Sequence, residues 1–463
     1  MAPFQRGGYD DPMKKLSPLV STAYVLRNAR ILTGNPGEIL SGHDLIVKDG
    51  VIAGVREAAL TGKSEASEYP VQDLSGRTIL PGLIDAHVHL AGCRTTSEEQ
   101  ELGGFPEHRL ARAIRSVADA QALLEHGFTS VRDISWNGLY LKRIIGEGTI
   151  TGPRIVACGP GLSRTGGHGD LYQLPLSTVR DNHFWTFLAD GPDEIRRAVR
   201  FLLREGADQI KLWASGGDNY PIDRSTDTHY TLEEMETAVR EARMIEGTLV
   251  CAHCESTGSI RDAVLAGADT IEHGEALDEK TADLMAEKGC ILVPTLRLLL
   301  NWRRDFAFDS PAPGAGEGRT FSKPPHVSFQ RDLLKKPPME EEEREAVIRN
   351  LALARSKGIP IALGSDTVFE PVTRYGAYSA GELTALVECG MTPLEALYSA
   401  TAVSAAALGM NHILGTLEPG KIADLLVVSG NPDEDISLLA DPARIEWVVQ
   451  SGGIVAGKGR LVV

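Results

Sequence analysis

Apolar residues recur along this chain in two rhythms. Short apolar runs lie at 78–89, 128–134, 153–159, 208–214, 248–254, 270–274, 291–296 and 359–366, and each reads as a buried strand. Helical periods fill the gaps. From Leu110 to His126 the apolar positions Leu110, Ile114, Val117 and Leu124 approach a 3.6-residue repeat. Asp193 to Glu205 reads the same way. Thr231-Leu-Glu-Glu234 is a capping box opening a helix toward Gly247. The acidic run Glu340–Glu343 is the first turn of a helix ending at Arg355-Ser-Lys-Gly358, in line with the macrodipole. Eight strands alternating with helices predict an α/β chain folded as a (β/α)8 TIM barrel over residues 81–415. A doubly wound open sheet is the second choice, weakened because no Gly-x-Gly-x-x-Gly turn follows the first strand.

The two ends carry strands without helices. Ala23–Leu32 and the hairpin Asp44–Val55, turning at Asp49-Gly50, lie at the start; Ala423–Val428 and the hairpin Ile445–Gly457, turning at Gly452-Gly453, lie at the end. Neither set can bury its own apolar face, so both are expected to join as one small β-sandwich over 21–80 and 416–463. Residues 297–339 are long for a connection and hold Trp302, Phe306 and Phe308 before a Pro/Gly-rich patch. They read as a lid over the catalytic face, with a plain surface insertion as the alternative.

Composition narrows the partners. The chain has 463 residues with 47 Lys and Arg against 63 Asp and Glu, a net charge of −16. That balance argues against nucleic acid as a partner. No apolar run is long enough for a bilayer, and the start lacks a secretory apolar core, so no membrane partner is expected. Six scattered cysteines suit a reduced, cytoplasmic setting. A homo-oligomer is expected. Cys251 and Cys254 fall on opposite strand faces and are read as apolar fill, and Cys93 as no nucleophile.

The chemistry gathers at strand ends. The first run closes on His87-Val88-His89, which puts two imidazoles on one strand face. Lys211 lies inside the fourth run. The fifth ends at His253, the sixth at His273 and the eighth at Asp366. Any one could be a packing residue, but in a barrel these ends meet on one rim. His87, His89 and Asp366 are expected to hold one divalent ion, and His253 and His273 a second. Lys211 would repel both unless it became a carbamate bridging them; the alternative is a buried ion pair. Two such ions can share a hydroxide and polarise a substrate oxygen. Asp366 can take the proton from that water and return it to a leaving amine. Histidine with oxygen donors admits zinc first, then cobalt, manganese or iron. Asp133 is expected to brace the loop after the second strand.

At these residues the chain resembles the amidohydrolase superfamily. The resemblance includes Pro81-Gly82-Leu83-Ile84-Asp85, Gly390–Leu397, Gly415–Leu425 and Gly430-Asn-Pro432. It implies a binuclear centre with an N6-carboxylated Lys211 and a metal-dependent hydrolase acting on C–N bonds. Within the superfamily the chain is most similar to the imidazolonepropionase-like branch, with its Xaa-Pro dipeptidases, ochratoxin-type amidases, and phenylurea and thiocarbamate hydrolases. Ser163–Asp170 resembles that branch's loop after the third strand. His168 in it is the candidate for holding the substrate carbonyl oxygen or the oxyanion; the alternative is a brace for a Gly-rich loop. After Gly217 the run Asp218–Tyr230 departs from the dipeptidase-like pattern. Trp213 and Tyr230 are expected to line the substrate pocket, and Trp136 less so. The substrate is expected to be a small amide, urea or carbamate bearing an aromatic group, possible xenobiotics included. The alternatives are an Xaa-Pro dipeptidase or cyclic-amide hydrolase, a lyase or decarboxylase on the same site, and a non-catalytic binding protein. Arg224 and Arg374 are the rim arginines that could anchor a dipeptide carboxylate.

Overall fold

A computed structural model describes residues 23–94, 109–171, 174–181, 186–218, 222–305, 339–370 and 373–462. Strands from the two ends of the chain interleave. One four-stranded sheet runs in the order Val51–Glu57, His43–Lys48, Ala23–Arg27, Val71–Asp73. A seven-stranded sheet contains Ile445–Gln450, Leu425–Ser429, Arg77–Pro81 and Arg30–Leu32 as neighbours. Tyr24, Leu45 and Ile52 of the first sheet share one apolar cluster with Ile79, Val427 and Trp447 of the second. The hairpin at Asp49-Gly50 turns as its sequence requires, with φ of 51° and 80°. The C-terminal hairpin turns one residue early, at Ser451-Gly452.

Pro81-Gly82 carries the chain from these sheets into the parallel ones. Arg77–Pro81 pairs antiparallel with Leu425–Ser429, and Leu83–Arg94 then pairs parallel with Phe128–Asp133. Gly82 permits the crossing because a Cβ there would lie 2.2 Å from Thr129 Oγ1. The expected run at 78–89 is thus two strands.

The parallel strands form two sheets. One is ordered Arg154–Ala157, Phe128–Asp133, Leu83–Arg94, Thr367–Glu370. The other is ordered Thr186–Leu188, Gly161–Ser163, Gln209–Trp213, Leu249–Cys254, Thr270–His273, Ile291–Val293. Backbone bonds link them where the ladders stop: Asp208 N–H donates to Ala157 O (2.7 Å), and the segment 359–366 is tied on both sides, with Ala362 N–H donating to Leu292 O (2.9 Å) and Ala86 N–H to Leu363 O (2.8 Å). The expected strand at 359–366 makes no continuous ladder, only the bridge between Leu292 and Ile361. Its backbone is shared instead between both neighbouring sheets.

The helices follow their signals with one rotation. Thr231 caps Leu232–Ala242 with a complete capping box, and Glu341–Ser356 begins on its acidic turn. Helix Arg109–Glu125, however, exposes Leu110 and Ile114. It buries Arg112 and Ser116 instead, which donate to Ala91 O (3.1 Å) and Leu90 O (2.7 Å) on the histidine-bearing strand. Hydrogen bonding between these buried side chains and the strand carbonyls outranks apolar periodicity, because buried polar groups left unbonded are costly. Of the expected lid, Leu296–Asp305 begins as a helix, and residues 306–338, with Phe306 and Phe308, lie outside the described residues. Among the described residues no helix is long and apolar enough to cross a membrane.

Candidate metal centre and active-site cavity

Four imidazoles converge, each held from behind. His87 donates from Nδ1 to Glu272 Oε2 (2.5 Å) and His89 from Nδ1 to Ile134 O (2.8 Å). His273 Nδ1 meets Thr295 Oγ1 (2.7 Å), and His253 donates from Nε2 to Gly216 O (3.1 Å). Each outer bond fixes its ring and turns the other nitrogen inward, as in histidines that ligate metals. The rings of His87 and His89 are 5.2 Å apart, those of His87 and His273 5.4 Å, and those of His253 and His273 4.5 Å. Asp366 Oδ1 lies 2.9 Å from His89 Nε2 and 3.5 Å from His87 Nε2.

Burial sets the charge states. It pushes His87 and His253 well below the usual histidine range, helped by the Lys211 charge at His87 and by the His168 and His273 rings at His253. His273 is lowered to about 4 by the same burial. For Asp366 burial opposes ionisation, but His87, His89 and His273 more than offset it and hold the carboxyl below its ordinary value. Neutral imidazoles beside an ionised carboxylate are the forms that bind metal.

Three residues here adopt left-handed backbone: His273 at φ 67°, Thr295 at 48° and Asp366 at 53°. Each costs about 1–3 kcal/mol, and such strain clusters at functional sites. Gly364 makes room beside them, since a Cβ there would lie 2.8 Å from His87 Cβ and 2.3 Å from Val293 Cγ1.

The residues fit a pair of divalent ions. Among the described residues, His87 Nε2, His253 Nδ1 and Lys211 Nζ are buried without a hydrogen-bond partner. Two groups can each gather three ligand atoms within 4.8 Å: His87, His273 and Asp366, and His253, Glu255 and His273. That grouping places His273 between the groups and adds Glu255, absent from the sequence reading. The spacing His253-x-Glu255 matches His87-x-His89 and is the signal that marks it. Lys211 is fully buried, with Nζ 4.7 Å from the centre of the Trp213 ring.

A cavity of about 420 Å³ opens over this centre. His89, His168, Trp213, His253, His273 and Asp366 line it, together with Leu298, Leu299, Met339 and Val347 and the carboxylates Asp218, Glu255, Glu275 and Glu343. Tyr230 is absent from that lining; its ring is buried in the main core and its hydroxyl donates to Ala189 O (3.1 Å). Trp136 packs on Phe201 and Tyr140. Arg224 is exposed and pairs with Asp227 (3.0 Å), and Arg374 is exposed; neither lines the cavity. Asp133 braces the turn as expected, accepting from Leu90 N–H (2.5 Å) and from Ser135 Oγ (2.7 Å). Cys251 lies 3.9 Å from Cys158, sulfur to sulfur, while Cys254 joins a different cluster.

A layer beneath the imidazoles was not foreseen from the sequence. Glu272, which holds His87, also accepts from Arg132 Nη2 (2.6 Å) and Thr270 Oγ1 (2.5 Å). Arg132 and Glu272 are both fully buried. Burial opposes the Arg132 charge, but Glu272 and the Cys251 and Cys158 sulfurs outweigh it, so the guanidinium is held more firmly than usual.

Comparison with known proteins agrees with this geometry. The amidohydrolase family model matches residues 78–455. An ochratoxinase from Aspergillus niger is 30% identical over 446 residues, covering 93% of this chain and 86% of the relative. Its crystal structure superposes with a TM-score of 0.81 at 28% identity, over 94% of this chain and 96% of that one. A prolidase complexed with N-methylphosphonate-L-proline gives a TM-score of 0.77 at 32% identity, covering 94% and 99% of the two chains. An imidazolonepropionase from Rhizorhabdus wittichii is 27% identical over 450 residues, covering 87% and 92%. With the family model spanning most of its length, this chain belongs to the amidohydrolase family and is a hydrolase.

Proposed function

We propose that this hydrolase is metal-dependent and cleaves the C–N bond of a small amide, urea or carbamate. The observation that carries the reading is the convergence of His87, His89, His253, His273 and Asp366 beneath a cavity with an apolar wall, with His87 Nε2 and His253 Nδ1 buried and unpartnered. Two divalent cations, when bound, supply an activated water and polarise the substrate carbonyl. His87, His89, His253, His273, Asp366 and an N6-carboxylated Lys211 would hold them, with zinc the first choice. Asp366 accepts the proton of the attacking water and passes it to the departing amine. His168 holds the carbonyl oxygen as it gains charge. Trp213 and the Leu298, Leu299 and Val347 wall receive an apolar or aromatic body. We assign the two parallel sheets to one barrel domain over 81–415, and the terminal sheets to one sandwich domain over 21–80 and 416–463.

The ochratoxinase relationship supports a bulky amide, and the prolidase relationship keeps an Xaa-Pro dipeptide as the second reading. The positions of Arg224 and Arg374 away from the cavity favour the first. The test is a hydrolysis screen of ochratoxin, aryl amides, phenylureas, carbamates and Xaa-Pro dipeptides, with metal analysis of the purified protein. Turnover of a non-peptide amide or urea with bound metal is expected, abolished in His87→Ala and Asp366→Ala. Full turnover in both variants would overturn the mechanism.

A further inference from the structure

His168 sits in a seat built from the segment that departs from the dipeptidase-like pattern. Its Nδ1 lies 2.8 Å from Asp223 Oδ2, and Asp223 is buried. Asp223 is itself anchored, because Gly217 N–H donates to its Oδ1 (3.3 Å) and its backbone carbonyl accepts from Asp218 N–H (2.7 Å). The His168 backbone N–H donates to His229 Nδ1 (3.1 Å), so backbone and ring are both tethered. The ring stacks on His253, 4.3 Å between centres and 17° from parallel. Below it Gly217 leaves no spare room: a Cβ there would lie 2.3 Å from His168 Cε1.

We propose that Asp223 is a positioning residue for His168, fixing the proton on Nδ1 and turning Nε2 toward the reacting centre. This rests on the role given to His168 above. A carboxylate at Nδ1 accepts only from N–H, so it excludes the neutral ring protonated on Nε2 alone. It leaves an Nε2 whose direction is set before substrate arrives; that nitrogen donates to the oxyanion when the ring carries both protons, the form a carboxylate at Nδ1 supports, and preorganisation of this kind is what makes a stabilising group effective. Gly217 is part of the same device, since the ring can lie over the backbone only where no side chain intervenes. Gly217 and Asp223 together therefore set the orientation of the group that meets the substrate.

The test uses the full-length, metal-loaded protein. Ring nitrogen signals are read by NMR after 15N-histidine labelling, with His168 assigned by its loss in His168→Ala. Turnover is measured on whichever member of the substrate screen is cleaved, with zinc content as the control for an intact centre. The parent is expected to show His168 protonated at Nδ1, and Asp223→Ala to lose that signature with zinc content unchanged. Asp223→Ala should lower kcat on the order of 10- to 100-fold, and His168→Ala on the order of 100- to 1,000-fold. The double variant should be no worse than His168→Ala, because the two residues act as a unit. Asp223→Asn keeps the shape and the Gly217 contact and should still lower kcat. Gly217→Ala should lower it as well, by displacing the ring. An unchanged Nδ1 signal in Asp223→Ala would overturn the proposal, with or without a cleaved substrate. Parent-level kcat in that variant would overturn it too, while a silent His168→Ala would remove the role of His168 itself.

Discussion

Glu272→Gln separates what holds the fold from what prepares the metal ligand. Glu272 is fully buried and makes three contacts: Arg132 Nη2 at 2.6 Å, Thr270 Oγ1 at 2.5 Å and His87 Nδ1 at 2.5 Å. The amide oxygen of glutamine can still accept from Arg132 and Thr270. Its NH2 group then faces His87 Nδ1 and donates to it. That contact reverses the histidine: the proton moves to Nε2, the atom aimed at the metal position. A 10- to 100-fold loss of metal affinity is expected, which is about 1.4–2.7 kcal/mol. Stability falls as well, because Arg132 becomes a buried charge without its partner. Breaking such a pair costs about 3–5 kcal/mol. The lower end applies here, since Arg132 keeps Ala86 O, Gln209 Oε1 and Thr270 Oγ1 as acceptors. Arg132→Met should lie at the upper end, because it leaves the carboxylate charged and forfeits all four contacts. The combined Arg132→Met, Glu272→Gln variant removes both charges. It should regain stability over Arg132→Met alone while binding metal as weakly as Glu272→Gln. Chelator-competition titration reads the affinity and urea unfolding by circular dichroism reads the stability. Parent-level metal affinity in Glu272→Gln would refute the tautomer argument, whatever the unfolding midpoint did.

Three further outcomes follow from the same geometry. Lys211→Met, which keeps the length of the buried side chain and removes Nζ, should abolish metal pairing; metal analysis showing two ions per chain with full turnover would contradict it. His229 is lowered to about 4, first by burial and then by the Arg164 charge. The unfolded chain therefore binds a proton that the folded one refuses between about pH 6.5 and 4, and stability falls as pH drops through that window. His229→Gln should flatten the dependence, and an unaltered pH profile of the urea midpoint would count against it. Gly364→Ala forces a methyl against His87 and Val293 and should weaken metal retention, as measured by dialysis against chelator.

The meeting of strand-end side chains was legible because alternation along a strand is a rigid rule and His87-Val88-His89 obeys it. Glu272 escaped for the complementary reason. It precedes His273, and alternation would send the two to opposite faces. His273 at φ 67° breaks the alternation, so both reach the interior. Arg132 was hidden in an apolar run, where nothing nearby in sequence names a partner 140 residues away. Tyr230 was misplaced because rim position and side-chain direction are separate facts, and its hydroxyl is bound to Ala189 O. Helix Arg109–Glu125 shows the limit of periodicity, since buried hydrogen bonds from Arg112 and Ser116 chose its inward face. The alternating strand–helix pattern was readable from local signals, whereas the seams between the two parallel sheets depend on backbone bonds between distant segments.

The crossing at Pro81-Gly82 has a consequence for biosynthesis. The strand that carries His87 and His89 continues directly from one that needs the far end of the chain as its neighbour. Thr78 donates to Gly430 O across 352 positions, and Ile79 pairs with Val427. A ribosome must release the 352 positions from Thr78 to Gly430 before that strand can be anchored on both sides. Closing so long a loop is slow compared with helix formation or local pairing. Nascent or prematurely ended chains therefore hold both histidines but lack the neighbour that registers them. Hydrolytic competence waits on the segment from Leu425, and chains cut short before it should emerge inert even though every candidate ligand is present.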